Sequence, residues 1–166
     1  MYYADVFNAL NEARARYLVA GGMAVNLHGV PRLTQDLDLL IELSQDNIHA
    51  IVGALTALGY VPTIPVDPMD FGNQSIREQW IREKHMKVFS MHHKQLPFQV
   101  IDLMCDVPVS YEDSSQRKVV QHAGALEIPL VSIPDLICMK EVAGRKTDLS
   151  DIRMLREIQR LEAQHG

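Results

Sequence analysis

The chain has 166 residues, 47% of them hydrophobic, and a formal net charge of −5. That length suits one domain (1–166) able to bury a real core, and the composition excludes a disordered chain. The charge argues against a protein built to coat nucleic acid, while leaving room for a local basic groove.

No apolar run approaches the roughly 20 residues that a membrane-crossing helix needs. The N-terminus lacks the basic start and apolar core of a signal peptide. Cys105 and Cys138 sit in apolar contexts. These observations lead us to expect free buried thiols and a cytoplasmic protein, since disulfides belong to oxidising compartments. There is no internal repeat and no low-complexity segment.

Residues 3–16 read as an amphipathic helix with Val6, Leu10 and Ala13 on its inner face. Tyr17–Ala20 is a short apolar run stopped by Gly21-Gly22, which reads as a strand followed by a turn. Met23, Ala24, Leu27 and His28 continue at helical spacing, and Gly29 and Pro31 end that helix. From Asp36 to Glu42 the pattern alternates as a strand does, with Asp36, Asp38 and Leu40 on one face. Ser44 caps a helix whose stripe runs Ile48, Ile51, Val52, Leu55 and Leu58 up to Gly59.

Tyr60–Asp70 holds three prolines and fits only an edge strand running into a loop. Residues 72–80 read as a helical turn or a flap. From Arg77 to Lys94 the charge turns basic, on what reads as a hairpin face: either a solvated surface or a lip attracting polyphosphate or RNA. Within it, residues 85–92 form a strand. A strong strand follows Pro97, with Asp102 set among Val100, Ile101, Leu103 and Met104. A hairpin around Gly124 comes next. A helix then starts at Ser132 or Pro134, and a last helix spans 148–164 with Leu149, Ile152, Leu155, Ile158 and Leu161 inward.

Two stretches carry chemistry. Asp36 and Asp38 stand two apart on one strand face, among leucines that make unpaired charge costly. A divalent cation relieves both the repulsion and the desolvation, and magnesium is typically held by one or two carboxylates plus substrate phosphates. Gly21 and Gly22 permit close backbone approach to a phosphate, and the following helix offers free N–H groups. Asp102, an acid inside an apolar strand, is either a salt-bridged structural residue or a third ligand of the same site. Asp106, at that strand's exit, competes with it for the ligand role.

The pattern Gly21, Gly22, Ala24, His28, Gly29, Arg32, Thr34, Asp36 and Asp38 resembles the signature of the nucleotidyltransferase superfamily related to DNA polymerase beta. It is closest to the small bacterial branch of minimal nucleotidyltransferases and AbiEii-like toxins. The segment 133–155 resembles the C-terminal part of those small enzymes, with Lys140, Arg145, Lys146, Asp148 and Asp151 in the corresponding places.

The resemblance implies an α+β fold: a mixed sheet flanked by helices, a core over 15–108 and a helical C-terminal part over 133–164. It implies Asp36, Asp38 and Asp102 as catalytic metal ligands for Mg2+ or Mn2+. Gly21, Gly22, Arg32, Thr34 and Lys140 would bind a nucleoside triphosphate substrate. Arg32 either neutralises developing charge or pairs with an acid of the sheet. Lys140 and Lys146 contact phosphate or pair with Asp148 and Asp151, and His28 is either a helix-packing residue with one hydrogen bond or a catalytic base. The acceptor is a tRNA, a protein or a small molecule, and an antitoxin partner is implied. Two rival readings are a non-catalytic binding module and a zinc protein using His92, His93 and Cys105.

Overall fold

The chain, described over residues 1–166 by a computed structural model, runs α1 (Ala4–Glu12), β1 (Tyr17–Ala20), α2 (Gly21–Leu27), β2 (Leu37–Ile41), α3 (Gln45–Ala57) and β3 (Tyr60–Pro62). It continues through α4 (Gln74–Lys84), β4 (Val88–His93), β5 (Val100–Met104), α5 (Tyr111–Ser115), β6 (Val119–Ala123), β7 (Leu126–Leu130), α6 (Ile133–Ala143) and α7 (Lys146–His165). The strands form one mixed sheet in the order β3-β4-β5-β2-β1-β7-β6. β2 pairs with β5, and β1 with β7, in parallel, and the other pairs are antiparallel. This is the mixed α+β sheet implied above. No helix is long and apolar enough to cross a membrane.

Local chemistry explains the boundaries. α1 stops at Glu12 rather than 16 because Arg14 turns left-handed at φ 54, and the Ala15 N–H bonds back to the Leu10 carbonyl at 2.9 Å. Ser44 caps α3 as its sequence signals, accepting from the Asn47 N–H. β3, with its proline, stands at the sheet edge.

The expected basic hairpin face is mostly a helix. Arg77, Arg82 and Lys84 belong to α4, which Asn73 caps and His85 ends in a left-handed conformation. Arg77 is no lip residue. It is buried, and its guanidinium donates to the carbonyls of Phe71 and Leu43 at 2.8 and 3.1 Å. The last helix begins at Lys146, two residues earlier than expected, and Leu149 (57%) and Leu161 (43%) are exposed rather than inward.

Thirty-six buried hydrophobic residues, from Tyr3 to Leu155, form one cluster. On β4 and β5 the fully buried side chains are Phe89, Met91, Ile101 and Leu103, with Phe89 stacked on Phe71 at 4.6 Å between ring centroids. The other face of those strands carries Ser90, His92, Val100, Asp102 and Met104, all only partly buried. That open face, next to the α6–α7 elbow, is where the candidate chemistry collects.

Candidate active site

The site starts from strand register. Asp38 on β2 is the direct partner of Asp102 on the parallel strand β5. Adjacent strands lie about 4.8 Å apart, so the two carboxylates leave the same face as neighbours. The row continues on both sides, with Ala20 opposite Asp38 and Ser90 opposite Asp102. The Ser90 hydroxyl donates to Asp102 Oδ1 at 2.5 Å. Asp36 lies just before β2 rather than in it, and it is exposed.

The two glycines form the first turn of α2 rather than a separate turn before it. Gly21 sits at φ +59, and a Cβ there would come within 1.9 Å of Asp38 Oδ2. A Cβ on Gly22 would come within 2.8 Å of Thr34 Oγ1 and 3.2 Å of Arg32 Cζ. The pair therefore admits the chain's own Asp38 and the Arg32–Thr34 loop to the start of α2. The sequence pattern joins glycines, loop and acids in one motif; of these, Asp38, Thr34 and Arg32 lie against the glycines in the structure.

Opposite the carboxylates stands the α6–α7 elbow. Lys140, 5% exposed, donates to Asp148 Oδ1 at 3.2 Å and Asp151 Oδ2 at 2.8 Å. Arg32 reaches across to pair with Asp151, an acid of α7 and not of the sheet. Asp148 sits at the third position of α7 and accepts from both the backbone and side chain of Arg145, which is the helix cap. A cleft between the two sides is lined by Gly21, Asp38, Met104, Lys140, Arg145 and Asp148. Lys146 is exposed on the first turn of α7. His28 Nε2 lies 2.8 Å from the Val131 carbonyl, the single hydrogen bond of the packing alternative.

The electrostatics differ across the cleft. Burial, followed by the charges of Asp102 and Asp36, pushes the Asp38 carboxyl up to about 7, against the pull of Lys140 and Arg145. Burial also raises Asp102, partly offset by the Ser90 hydrogen bond. Asp148 is held below the usual range: burial opposes this, but the hydrogen bonds from Arg145 and Lys140 outweigh it.

The donor set is all oxygen, which suits a hard cation such as magnesium. Its excess of negative charge, and the Gly21 cradle that admits Asp38, fit such an ion. As the side chains stand, no three His, Cys, Asp or Glu groups are gathered closely enough to share one. The zinc alternative fails on placement. His93, paired with Tyr60, ends β4 and lies against the Leu58 carbonyl, whereas Cys105 bonds to Lys87 at the opposite end of that strand. Asp106 is likewise drawn off, in an exposed pair with Lys87 at 2.6 Å.

Residues 6–164 match the profile of a family described as nucleotidyl transferase AbiEii toxin, type IV toxin–antitoxin system. The chain belongs to the AbiEii nucleotidyltransferase family. No curated protein matches it in sequence. Solved structures of similar fold include the lincosamide antibiotic adenylyltransferase LnuA with lincomycin bound, 16% identical, covering 92% of this chain and 93% of its own, TM-score 0.57. Another is the ANT(2")-Ia complex with adenylyl-2"-tobramycin, 13% identical, covering 96% and 92%, TM-score 0.58. A Thermotoga maritima protein assigned as a nucleotidyltransferase is 13% identical over 92% and 86%, TM-score 0.54. At those identities the likeness is one of fold, while the family match makes this chain a nucleotidyltransferase. Among residues of this site, Ser90 was missed in the sequence; its only signal was a small polar side chain on the strand face that also carries Asp102.

Proposed function

We propose that this AbiEii-family chain moves a nucleoside monophosphate from a magnesium- or manganese-bound nucleoside triphosphate to an acceptor hydroxyl, releasing pyrophosphate. The observation that carries this reading is the register of Asp38 with Asp102 beside a glycine whose missing Cβ makes room for the Asp38 carboxylate. Asp36 and Asp38 would hold the metal ions, and Asp102 would complete the shell nearer the acceptor. When bound, the ions neutralise charge and steady the attacking and leaving oxygens of an in-line displacement.

The chain's own residues do the rest. The acceptor oxygen bonds to the α-phosphorus, the bond to the β-phosphate oxygen breaks, and pyrophosphate leaves with that electron pair. Asp102 takes the hydroxyl's proton, directly or through water, since it borders the open face of β4 and β5 where an acceptor can approach. Gly21, Gly22 and Thr34 shape the floor under the β- and γ-phosphates. Lys140, Arg32 and Arg145 supply positive charge from the elbow, so positioning and charge stabilisation dominate.

We take residues 1–166 to act as one domain in the cytoplasm, with an antitoxin as partner. The single core cluster, with members in both the sheet and the C-terminal helices, supports the first point.

The acceptor classes to test are tRNA, protein and small molecules, the last because two similar structures carry lincomycin or adenylylated tobramycin. The test incubates the protein with each α-labelled nucleoside triphosphate, magnesium or manganese, and total RNA, cell extract or antibiotics of those two classes. Label should appear in one acceptor class and vanish in Asp38→Ala. Label transfer surviving intact in Asp38→Ala would refute the assignment.

A further inference from the structure

We infer that Ser90 is a positioning residue for this reaction: its hydroxyl fixes the Asp102 carboxylate so that the second oxygen is presented to the metal side of the cleft. This rests on the reading of Asp102 as a metal ligand given above.

Three observations carry it. First, register puts Ser90 directly beside Asp102 on the antiparallel strand β4, while Asp38 flanks Asp102 on the other side through β2. The three side chains form a row on one face, so a bond from Ser90 grips Asp102 from the side away from Asp38. Second, the contact is short and goes to one oxygen only. Ser90 Oγ donates to Oδ1 at 2.5 Å, within the range of a hydroxyl bound to a charged carboxylate. Asp102 Oδ2 takes no side-chain hydrogen bond within the chain, and the serine hydroxyl makes no other. Third, the alternating side chains of β4 explain why a serine matters here. Phe89 and Met91, its sequence neighbours, are fully buried on the opposite face, so the strand cannot twist Ser90 away without unpacking the core.

The consequence concerns a site that is not gathered in advance. Asp38 is confined by the space Gly21 leaves, and Asp36 is free in solvent. Without Ser90, Asp102 would be free to swing about its side-chain torsions, and a metal would have to order it on binding. Partners behind a metal ligand typically influence affinity 10- to 100-fold when removed. Ser90 is thus the counterpart on β4 of what Gly21 does at α2: each restricts one carboxylate, by a bond in one case and by shape in the other.

The experiment measures Mn2+ binding to the nucleotide-free protein at one fixed pH by electron paramagnetic resonance, for wild type, Ser90→Ala, Ser90→Cys, Ser90→Thr and Asp102→Ala. Ser90→Cys is slightly larger, leaves no cavity and donates only weakly, and it serves if the alanine variant folds poorly. Thermal melting without metal reports on folding separately. The expected result is affinity weakened at least roughly tenfold in the alanine and cysteine variants and restored to near wild type by threonine. In the Asp102→Ala background, Ser90→Ala should add no further loss. Wild-type Mn2+ affinity in folded Ser90→Ala, alongside lost affinity in Asp102→Ala, overturns the role of Ser90 and leaves the metal reading standing. Wild-type affinity in Asp102→Ala overturns both.

Discussion

The buried Asp38 carboxylate should make the protein less stable at and above neutral pH, and Asp38→Asn exposes that cost. The carboxyl titrates at about 7 in the fold against 3.8 as an ordinary side chain. The folded state therefore holds this proton more tightly than the unfolded chain does. Below pH 3.8 both states are protonated and the group is neutral in the balance. As pH rises toward 7 the unfolded chain gains by ionising while the folded one does not, so stability falls, and above 7 the full cost persists.

Three units of pKa would amount to about 4 kcal/mol. Asp38 retains some contact with water, which screens its neighbours, so roughly half, about 2 kcal/mol, is the expected size. Asparagine has the same shape and never ionises. At pH 8 Asp38→Asn should melt about 4–8 °C above wild type, at 2–4 °C per kcal/mol for a chain of this size. At pH 4 the gap should nearly close.

Adding magnesium with a nucleoside triphosphate should reverse the order, because ligand at a hundred times its dissociation constant returns about 2.7 kcal/mol to wild type and little to the variant. The assay is scanning fluorimetry or calorimetry across pH 4–9, with and without metal and nucleotide. An Asp38→Asn protein no more stable than wild type at pH 8, or equally favoured at pH 4 and pH 8, would refute the reasoning.

Two other substitutions separate site from scaffold. Gly21→Ala forces a side chain into the left-handed region at φ +59 and into Asp38; we expect about 1–2 kcal/mol lost in urea unfolding and at least a tenfold drop in transfer. Arg77→Met leaves the buried carbonyls of Phe71 and Leu43 without their donor; we expect about 2–3 kcal/mol lost, with transfer per folded molecule unchanged. A selective loss of transfer in stable Arg77→Met would restore the basic-lip idea.

The acid-bearing strands were legible because their patterns are strong. Tyr17–Ala20 and Leu37–Ile41 became β1 and β2, and Val100–Met104 became β5 with Asp102 at its centre. Caps written in side-chain chemistry were legible too, as at Ser44 and Ser132. α4 was not. Its inner residues Ile76, Trp80 and Ile81 are few among eight polar or charged ones, and it ends left-handed at His85 with no glycine to mark the stop. Arg77 reads as surface charge in sequence, and only the loop carbonyls that it reaches make it a core residue. The reach of Arg32 to Asp151, 119 positions away, has no local signature at all. The glycines were read as serving a phosphate, and their nearest neighbours turned out to be Asp38, Thr34 and Arg32.

Under the proposed function, the balance of charge across the cleft bears on how a nucleotide would enter it. On the sheet side Asp36, Asp38 and Asp102 have no basic partner among the ion pairs. On the elbow side Lys140, Arg32 and Arg145 outnumber Asp148 and Asp151 by a single charge. A bare triphosphate would meet net negative potential, and at separations of a few ångströms each uncompensated pair costs on the order of 4 kcal/mol at an effective dielectric constant near 20. The elbow cations cannot offset this alone, because each already holds an acid that would be left buried and unpaired if they turned away. A triphosphate arriving with divalent cations brings its own neutralisation to the carboxylates and leaves the elbow's pairs intact. It also displaces the proton that Asp38 holds near neutral pH. Entry of the nucleotide as its metal complex is therefore the route this charge distribution favours, and it makes the carboxylate row and the buried lysine parts of one arrangement.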